Sequence, residues 1–424
     1  MLDISLLREK PALVKANEKK RNRDPKNVDE VLALDEKWKK ELKSAEELKH
    51  KRNVVSQEIN ELKKAGKNGA GKIKEMRKVA AEIKQKEEKA DALLEERNTQ
   101  LKLLSNIMHE KVPKGKDASE NVEIKKGGKM PKFNFPVKGH VELLESLGLA
   151  DFDASARVSG NGFYYLKKEI ALLNQALIRF AIDFMIKKGY NYVEPPLMLH
   201  EKEIYASMDK AAIQQSVYSI KDENLNLIGT SEQSVLAMHS GKTMSESELP
   251  KKYVAYSMCF RKEVGAHGIN DKGLWRTHQF NKIEQFIFCR PEDSEKMYGE
   301  LFNNSDEILK ELELPYRWVE ICTGDLADWK HRSADFEAWR PTINEYGELG
   351  SLSNCTDYQA RKLNIKVVGK DGSRKVVHTL NNTALATSRI MVAILENFQT
   401  KQGTIKVPKV LWPYMNGITE IGKK

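Results

Sequence analysis

Apolar residues in the N-terminal part of the chain recur at spacings of three and four. From about Val28 to Ala65 they fall at Val31, Trp38, Leu42, Ala45, Leu48, Val55, Ile59 and Leu62. From about Lys72 to Met108 they fall at Ile73, Met76, Ala80, Ile83, Ala90, Leu94, Leu101, Leu104 and Met108. Those spacings, or their sums, are the heptad signature of helices packed along a narrow seam. The stretch AGKNGAG, Ala65 to Gly71, reads as a turn between them. The pattern therefore predicts an antiparallel helical hairpin, each helix roughly 55 Å long at about 1.5 Å per residue. Ahead of it lies a short amphipathic start with Leu2, Ile4, Leu6, Leu7, Leu13 and Val14, stopped by Pro25. Asn27 with Glu30 reads as a capping box for the first long helix.

The rhythm then changes. Residues 112 to 139 hold Pro, Gly and Lys with little periodicity and read as a linker. The expected organisation is a helical domain over 1–112, a linker over 113–139 and a second domain over 140–424. His140 to Leu149 restarts a helix, Phe152 to Phe163 is irregular, and Leu166 to Lys188 is a strong amphipathic helix. In GYNYVEPPLML, Gly189 to Leu199, Pro195 and Pro196 forbid helix and suit an edge or interface strand. Tyr253 to Phe260 and Phe280 to Phe288 read as two strands of an antiparallel hairpin. Gly265, Gly268, Asn270, Asp271 and Gly273 mark the long loop between them. Alternation puts Arg261 and Glu263 on one face and Phe280, Lys282 and Glu284 on another. A helix follows from about Pro291 to Leu312, and His378 to Gln399 reads as a strand running into a helix that carries Arg389.

Charge alters the reading of the hairpin arm. The whole chain of 424 residues carries a formal net charge of +10. Residues 1–112 hold 28 Lys+Arg against 21 Asp+Glu, which is +7 of that total. Near the tip, Lys63, Lys64, Lys67, Lys72, Lys74, Arg77 and Lys78 face only Glu75. A solvated helical face explains most such runs, but this one also suits a polyanion. Other classes are disfavoured. No run of eighteen apolar residues appears, so no transmembrane helix is expected. The first twenty residues contain acids and no long apolar core, unlike a secretory signal or an acid-poor presequence. Cys259, Cys289, Cys322 and Cys355 are widely spaced, which argues against a zinc knuckle or a disulfide framework and for a reducing, cytoplasmic setting.

Five segments in order carry a resemblance. GYNYVEPPLM, then GTSEQ (Gly229 to Gln233), then FRKE to HQFNKIE (Phe260 to Glu284), then SNCTDYQARKL, and finally TLNNTALATSRIMVAILENFQ resemble the class II aminoacyl-tRNA synthetases, specifically the seryl-tRNA synthetase family. With the N-terminal arm, the likeness covers nearly the whole chain. It implies an α+β fold: a coiled-coil arm plus a catalytic domain of antiparallel sheet flanked by helices. It also implies a homodimer with no membrane association. The reaction implied is ATP-dependent activation of L-serine to seryl-adenylate, then transfer to serine tRNA; charging of selenocysteine tRNA stays open.

Neither step needs a protein nucleophile; both need positioning and stabilisation of charge developing on phosphate. By resemblance, Arg261 contacts the α-phosphate and the serine carboxylate, a task that suits a planar two-pronged donor. Glu263 lies near the adenine, Phe280 stacks on it, and Arg389 takes its other face or the γ-phosphate. Lys262, Arg276, Thr277, Leu349 and Gly350 complete the ATP-binding set. Glu348 and Ser351 match the positions that hold Mg²⁺ on ATP; no zinc is expected. Serine recognition falls to Thr230, Ser231, Glu232, Arg261, Glu284, Asn381 and Thr383. Two departures stand out: Gly350 removes a hydroxyl found in the common family form, and Thr383 stands where many members have serine. The arm is implied to grip tRNA, with the seven cations named above as the contact set. Two rival readings remain at this level. One is a paralogue that activates an amino acid for a non-tRNA acceptor, and the other is a structural coiled-coil protein.

Overall fold

The computed structural model describes residues 1–208, 210–264 and 272–423, without the side chains of residues 210 and 211. Gly265, Gly268, Asn270 and Asp271, read above as loop residues, lie outside the described residues. Two compact units are present, Met1–Ser105 and Asn106–Lys424.

In the first unit, helices α1 (Lys26–Lys64) and α2 (Ala70–Leu101) form the arm. At about 1.5 Å per residue they are roughly 58 and 48 Å long. The expected capping box does not form. Asp24 Oδ1 instead accepts the N–H of Lys26 at 2.9 Å, because Pro25 occupies the cap position, two residues earlier than Asn27 requires. The second helix is shorter than its periodicity suggests and ends at Leu101, ahead of Leu104 and Met108. Its seam also slips by one position, with Val79 buried and Ala80 exposed.

Between Leu94 and Leu101 the seam position is taken by a charge. Arg97 is 8% exposed and its Nη1 lies 2.8 Å from Oδ1 of the fully buried Asp35. Arg8 approaches the same carboxylate at 2.8 Å, and Lys39 at 3.2 Å. Burial pushes the Asp35 pKa up, but the hydrogen bonds from Arg8, Arg97 and Lys39 outweigh it and hold it at about 2. A depressed carboxylate contributes stability that is intact above its unfolded pKa and lost as pH falls through the folded one. The arm should therefore hold from neutrality to about pH 4 and lose helix between about pH 4 and 2. Asp35→Ala, which strands Arg97, should cost about 3–5 kcal/mol at pH 7. Thermal melts followed by circular dichroism check both; a variant that melts like the parent, with the same acid profile, would show that the pair contributes nothing.

The second unit is built on an eight-stranded sheet. Its strands are β1 (Val122–Gly127), β2 (Asn191–Val193), β3 (Lys251–Phe260), β4 (Gln279–Cys289), β5 (Tyr316–Glu320), β6 (Arg332–Arg340), β7 (Glu345–Thr356) and β8 (His378–Ala386). Their order across the sheet is β1-β5-β6-β7-β8-β4-β3-β2. Every neighbouring pair is antiparallel except β2 with β3, where Asn191 pairs Tyr253 in parallel. The expected hairpin is β3–β4, in register from Lys251 opposite Phe288 to Phe260 opposite Gln279.

β1 corrects the linker reading, since VEIKKG is the edge strand and pairs with β5. Its apolar residues gave no usable signal because Val122 and Ile124 are nearly half exposed. The strand is held by its backbone ladder and by Lys125 Nζ, 2.8 Å from the buried Asp306. The stretch Phe152 to Phe163 is also more regular than expected. Phe152–Ser159 is a helix, with the Asp151 side chain accepting from the Ala154 N–H.

One face of the sheet carries the main core. Ile283, Ile287, Leu352, Leu380, Trp318 and Phe336 are buried there. They pack with apolar residues of helices α3 (Lys168–Lys187), α4 (Ser294–Glu311) and α5 (Thr387–Asn397). Each fully buried side chain of this size is worth roughly 1.5–3 kcal/mol against exposure. The other face is closed at one side by a smaller cluster of Phe286, Phe288, Ala255, Val235 and Leu236. The rest of that face is left for polar side chains.

Candidate active site

Strand alternation decides which side chains share that polar face. Ser333 and Asp335 of β6 stand opposite Ser353 and Ser351 of β7, and Ser353 stands opposite Asn381 of β8. Thr383 of β8 stands opposite Glu284 of β4, and Phe280 and Lys282 share the face of Glu284. Glu348 lies three residues before Ser351, a spacing that puts side chains on opposite faces of a regular strand. Here the register shifts: Gly350 pairs Phe336 while Glu348 pairs Glu337. Leu349 is the extra residue, a β-bulge that turns Glu348 to the side of Ser351 while Leu349 itself enters the core.

These residues line a cavity of about 570 Å³. Most of the residues read from the sequence meet there: Thr230, Glu232, Arg261, Glu263, Arg276, Thr277, Phe280, Glu284, Glu348, Leu349, Gly350, Ser351, Asn381, Thr383 and Arg389. Arg261 and Glu263 thus serve the same space as Phe280 and Glu284, not a separate face. Beyond β3 the chain leaves the strand, and Glu263 adopts a left-handed φ of 51°.

Two expected residues are not in the lining. Ser231 is fully buried at the start of a short helix, where its Oγ donates to the Ala255 carbonyl at 3.3 Å. Lys262 points elsewhere, with its ammonium 5.9 Å from the Tyr218 ring centroid. The seven arm residues belong to the first unit. Lys63, Lys64, Lys67, Lys74, Arg77 and Lys78 are exposed, whereas Lys72 is tied to Glu58 at 2.5 Å.

The cavity divides by charge. Deep in it, Glu232 Oε1 accepts from Gln359 at 2.7 Å and from Asn381 at 3.0 Å. Burial and then the neighbouring Glu284 push the Glu232 pKa up to about 6, so it is ionised at neutral pH. Glu284, 2% exposed, lies with its Oε2 at 2.6 Å from Lys282 Nζ, yet that oxygen has no well-formed hydrogen bond among the described residues. A pair of carboxylates, Glu284 buried and Glu232 half-buried, suits an ammonium group.

Arginines dominate the mouth. The guanidinium of Arg261 is 5.2 Å from the Phe280 ring centroid, and its Nε donates to the Gly229 carbonyl at 3.1 Å. Arg276 Nη1 donates to Glu263 Oε2 at 2.6 Å. Arg389 donates to the Glu348 carbonyl at 2.9 Å and pairs with its carboxylate at 3.2 Å. Burial works against the charge of Glu348, but Arg389, Arg261 and Lys330 hold its pKa below the usual carboxylate range. Trp275 has Arg340 at 4.2 Å and Arg389 at 5.5 Å from its ring, which fixes the direction of Arg389.

At Gly350, where the common family form carries a hydroxyl, a Cβ would lie 2.5 Å from Phe336 Cζ and 2.6 Å from Thr383 Cβ, so a side chain there requires one of those two to shift.

The sequence reading missed Lys282, Lys330, Asp335, Trp275 and Trp329, all in the lining. Asp335 had a usable signal: SADFEAW alternates polar and apolar residues, and its polar positions are too poor in long charged side chains for an ordinary solvated face. Elsewhere, His109, Glu295 and His331 bring possible metal-ligating atoms within 4.8 Å of one another. Arg332 Nη1 already stands 3.3 Å from Glu295 Oε2, and none of the three lines the cavity.

Comparison with known proteins agrees with this architecture. Residues 1–108 match the model of the seryl-tRNA synthetase N-terminal domain. Residues 217–398 match that of the class II tRNA synthetase core domain (G, H, P, S and T). A serine–tRNA ligase of Methanocella arvoryzae is 44% identical over 422 residues, 99% of both chains. One from Nitrosopumilus maritimus is 40% identical over 99% of this chain and 100% of its own. The crystal structure of seryl-tRNA synthetase from Pyrococcus horikoshii complexed with ATP superposes with a TM-score of 0.94 at 42% identity, covering 99% of each chain. The cytoplasmic serine–tRNA ligase of Naegleria fowleri in complex with AMP gives 0.90 at 33% identity, over 99% of this chain and 98% of that one. With this identity sustained from end to end, the chain belongs to the seryl-tRNA synthetase family of class II enzymes.

Proposed function

We propose that this protein activates L-serine with ATP, forming seryl-adenylate and pyrophosphate, and passes the seryl group to a terminal ribose hydroxyl of serine tRNA. The observation that carries this reading is the division of one cavity into a carboxylate-rich floor and an arginine-rich mouth. The floor suits an amino acid's ammonium and hydroxyl, with Glu232, Glu284, Asn381 and Thr383 as partners. The mouth suits a nucleotide, with Phe280 under the base and Arg261, Arg276 and Arg389 toward the phosphates. The Pyrococcus relative in complex with ATP supports the same assignment.

In the first step the serine carboxylate attacks the α-phosphorus. Arg261 lies between the two halves of the cavity and can bridge both reactants, holding carboxylate and phosphate within reach. Charge that develops on the phosphates faces Arg261, Arg276 and Arg389. The oxygen donors Glu348 and Ser351, brought together by the bulge, fit Mg²⁺, which supplies neutralisation of phosphate charge when bound. Specificity follows from the floor. A site whose buried polar groups are satisfied only by the substrate hydroxyl rejects the analogue lacking it by roughly 10⁴–10⁵. Threonine must be refused sterically, and Thr383 in the lining narrows the floor.

The protein works as a homodimer in the cytoplasm. Leu172, Tyr192 and Met198, exposed on and beside the β2 edge, support an apolar dimer face, and four free buried thiols support a reducing compartment. No described helix is long and apolar enough to cross a membrane.

The test is serine-dependent ATP–pyrophosphate exchange, with alanine and threonine as controls, followed by charging of serine tRNA on the same sample. Exchange with serine alone and successful charging is the expected result. Exchange without charging would move the acceptor from tRNA to another molecule, and no exchange from folded protein would overturn the reading.

A further inference from the structure

Asp335 is a half-buried carboxylate that nothing above uses. It sits on β6 directly opposite Ser351 of β7 and lines the cavity. Its Oδ1 is shut off from solvent and accepts no hydrogen bond from any described residue. A carboxylate oxygen kept dry and without a donor is costly unless a cation arrives to meet it. The surroundings are those of a hard-cation site. Glu348 and Ser351 share the face, and Ser333 Oγ lies 3.3 Å from Ser351 Oγ. The ammonium of Lys330 reaches into the same patch, 3.1 Å from both Ser333 Oγ and Ser351 Oγ. The donors are carboxylate and hydroxyl oxygens, the set that magnesium prefers and that zinc and copper do not.

We propose that Asp335 is part of the divalent-cation site of the nucleotide pocket. Its open oxygen takes the ion, directly or through one of the ion's waters, beside Glu348 and Ser351. Lys330 holds the patch with a single positive charge while no nucleotide is bound. This inference rests on the assignment of the mouth of the cavity to ATP. It adds a ligand from a second strand, so that the ion spans β6 and β7 and is fixed against both.

The test is Asp335→Asn, which keeps the shape and removes the charge, with Asp335→Ser as a second variant should the first fail to fold. Mn²⁺ replaces Mg²⁺ as a probe, and its binding to enzyme with a non-hydrolysable ATP analogue is read from loss of the free-Mn²⁺ electron paramagnetic resonance signal. The expected result is a Mn²⁺ affinity weakened about 10–100-fold. The Mg²⁺ concentration for half-maximal exchange should rise in step, with KM for serine unchanged. Unchanged Mn²⁺ affinity with a raised KM for serine would overturn the proposal and give Asp335 to the amino acid. Unchanged values of both would leave it a packing role and overturn it equally. Should the parent protein show no serine-dependent exchange yet bind Mn²⁺ and nucleotide in an Asp335-dependent way, the functional reading fails and this one stands.

Discussion

Replacing Glu284 by alanine is expected to lower kcat/KM for serine in the exchange reaction by roughly 10³-fold, the cost of breaking a buried charged contact. The side chain is 2% exposed, and its Oε2 lacks a well-formed hydrogen bond among the described residues. Lys282 balances its charge, and the remaining acceptor capacity of the carboxylate suits a ligand's ammonium. Binding of ATP should change little, because the nucleotide is assigned to Arg276, Phe280 and Arg389 in the mouth of the cavity. The fold should persist, since the main core lies on the opposite face of the sheet. The substitution does strand Lys282, which pairs with Glu284 at 2.6 Å. Glu284→Gln, which keeps the shape, separates that effect from recognition. Nucleotide binding by calorimetry and exchange kinetics decide the matter. Equal losses for serine and ATP would mean that Glu284 supports the pocket as a whole, and unchanged serine kinetics would remove it from the recognition set.

Removing the exposed charges at the arm tip should divide the two half-reactions. Lys63, Lys64, Lys67, Lys74, Arg77 and Lys78 have no ion pair among the described residues, unlike Lys72. Changing all six to glutamine should leave exchange untouched and raise KM for tRNA by about 100-fold at moderate salt, as loss of several phosphate contacts would. The slope of log KM against log salt should become shallower by several units, and this is the sharper readout. RNA helices held by backbone shape require distributed cations rather than base-reading side chains. A variant that charges tRNA normally would show that RNA contacts lie elsewhere on the arm.

The arm and the β3–β4 hairpin were legible in the sequence because their burial follows one simple period. The seam residues Val31, Ala45, Ile59 and Ile83 are buried as the heptad spacing requires. Asp35 and Arg97 were invisible to that logic, since a period search counts apolar positions and these two fill a seam with opposite charges. β1 was missed for the converse reason: it is held by ladder bonds and an ion pair, while its apolar side chains face out. In the cavity, residues inside a contiguous motif could be named in advance. Lys330 lies in no motif, and Asp335, marked only by the alternation of SADFEAW, reaches the site across a strand pairing whose register is set by tertiary structure. Ser231 and Lys262 were expected for the opposite reason. They sit inside motifs, but their turn in the local geometry points them away.

The single bulged residue has a wider consequence. Along β7 the backbone before Leu349 and the backbone after it run out of phase, and the strand functions only because of that mismatch. Straightening the bulge with the chain length unchanged would not act locally. It would rotate everything from Glu345 to Glu348 by half a pleat, sending a carboxylate toward Trp318 and Phe336 and drawing Leu349 out of the hydrocarbon interior. The strand thus behaves like a reading frame written in three dimensions. Substitutions along it can be tolerated one at a time, while a change that irons out or moves the bulge rewrites every position on one side of it.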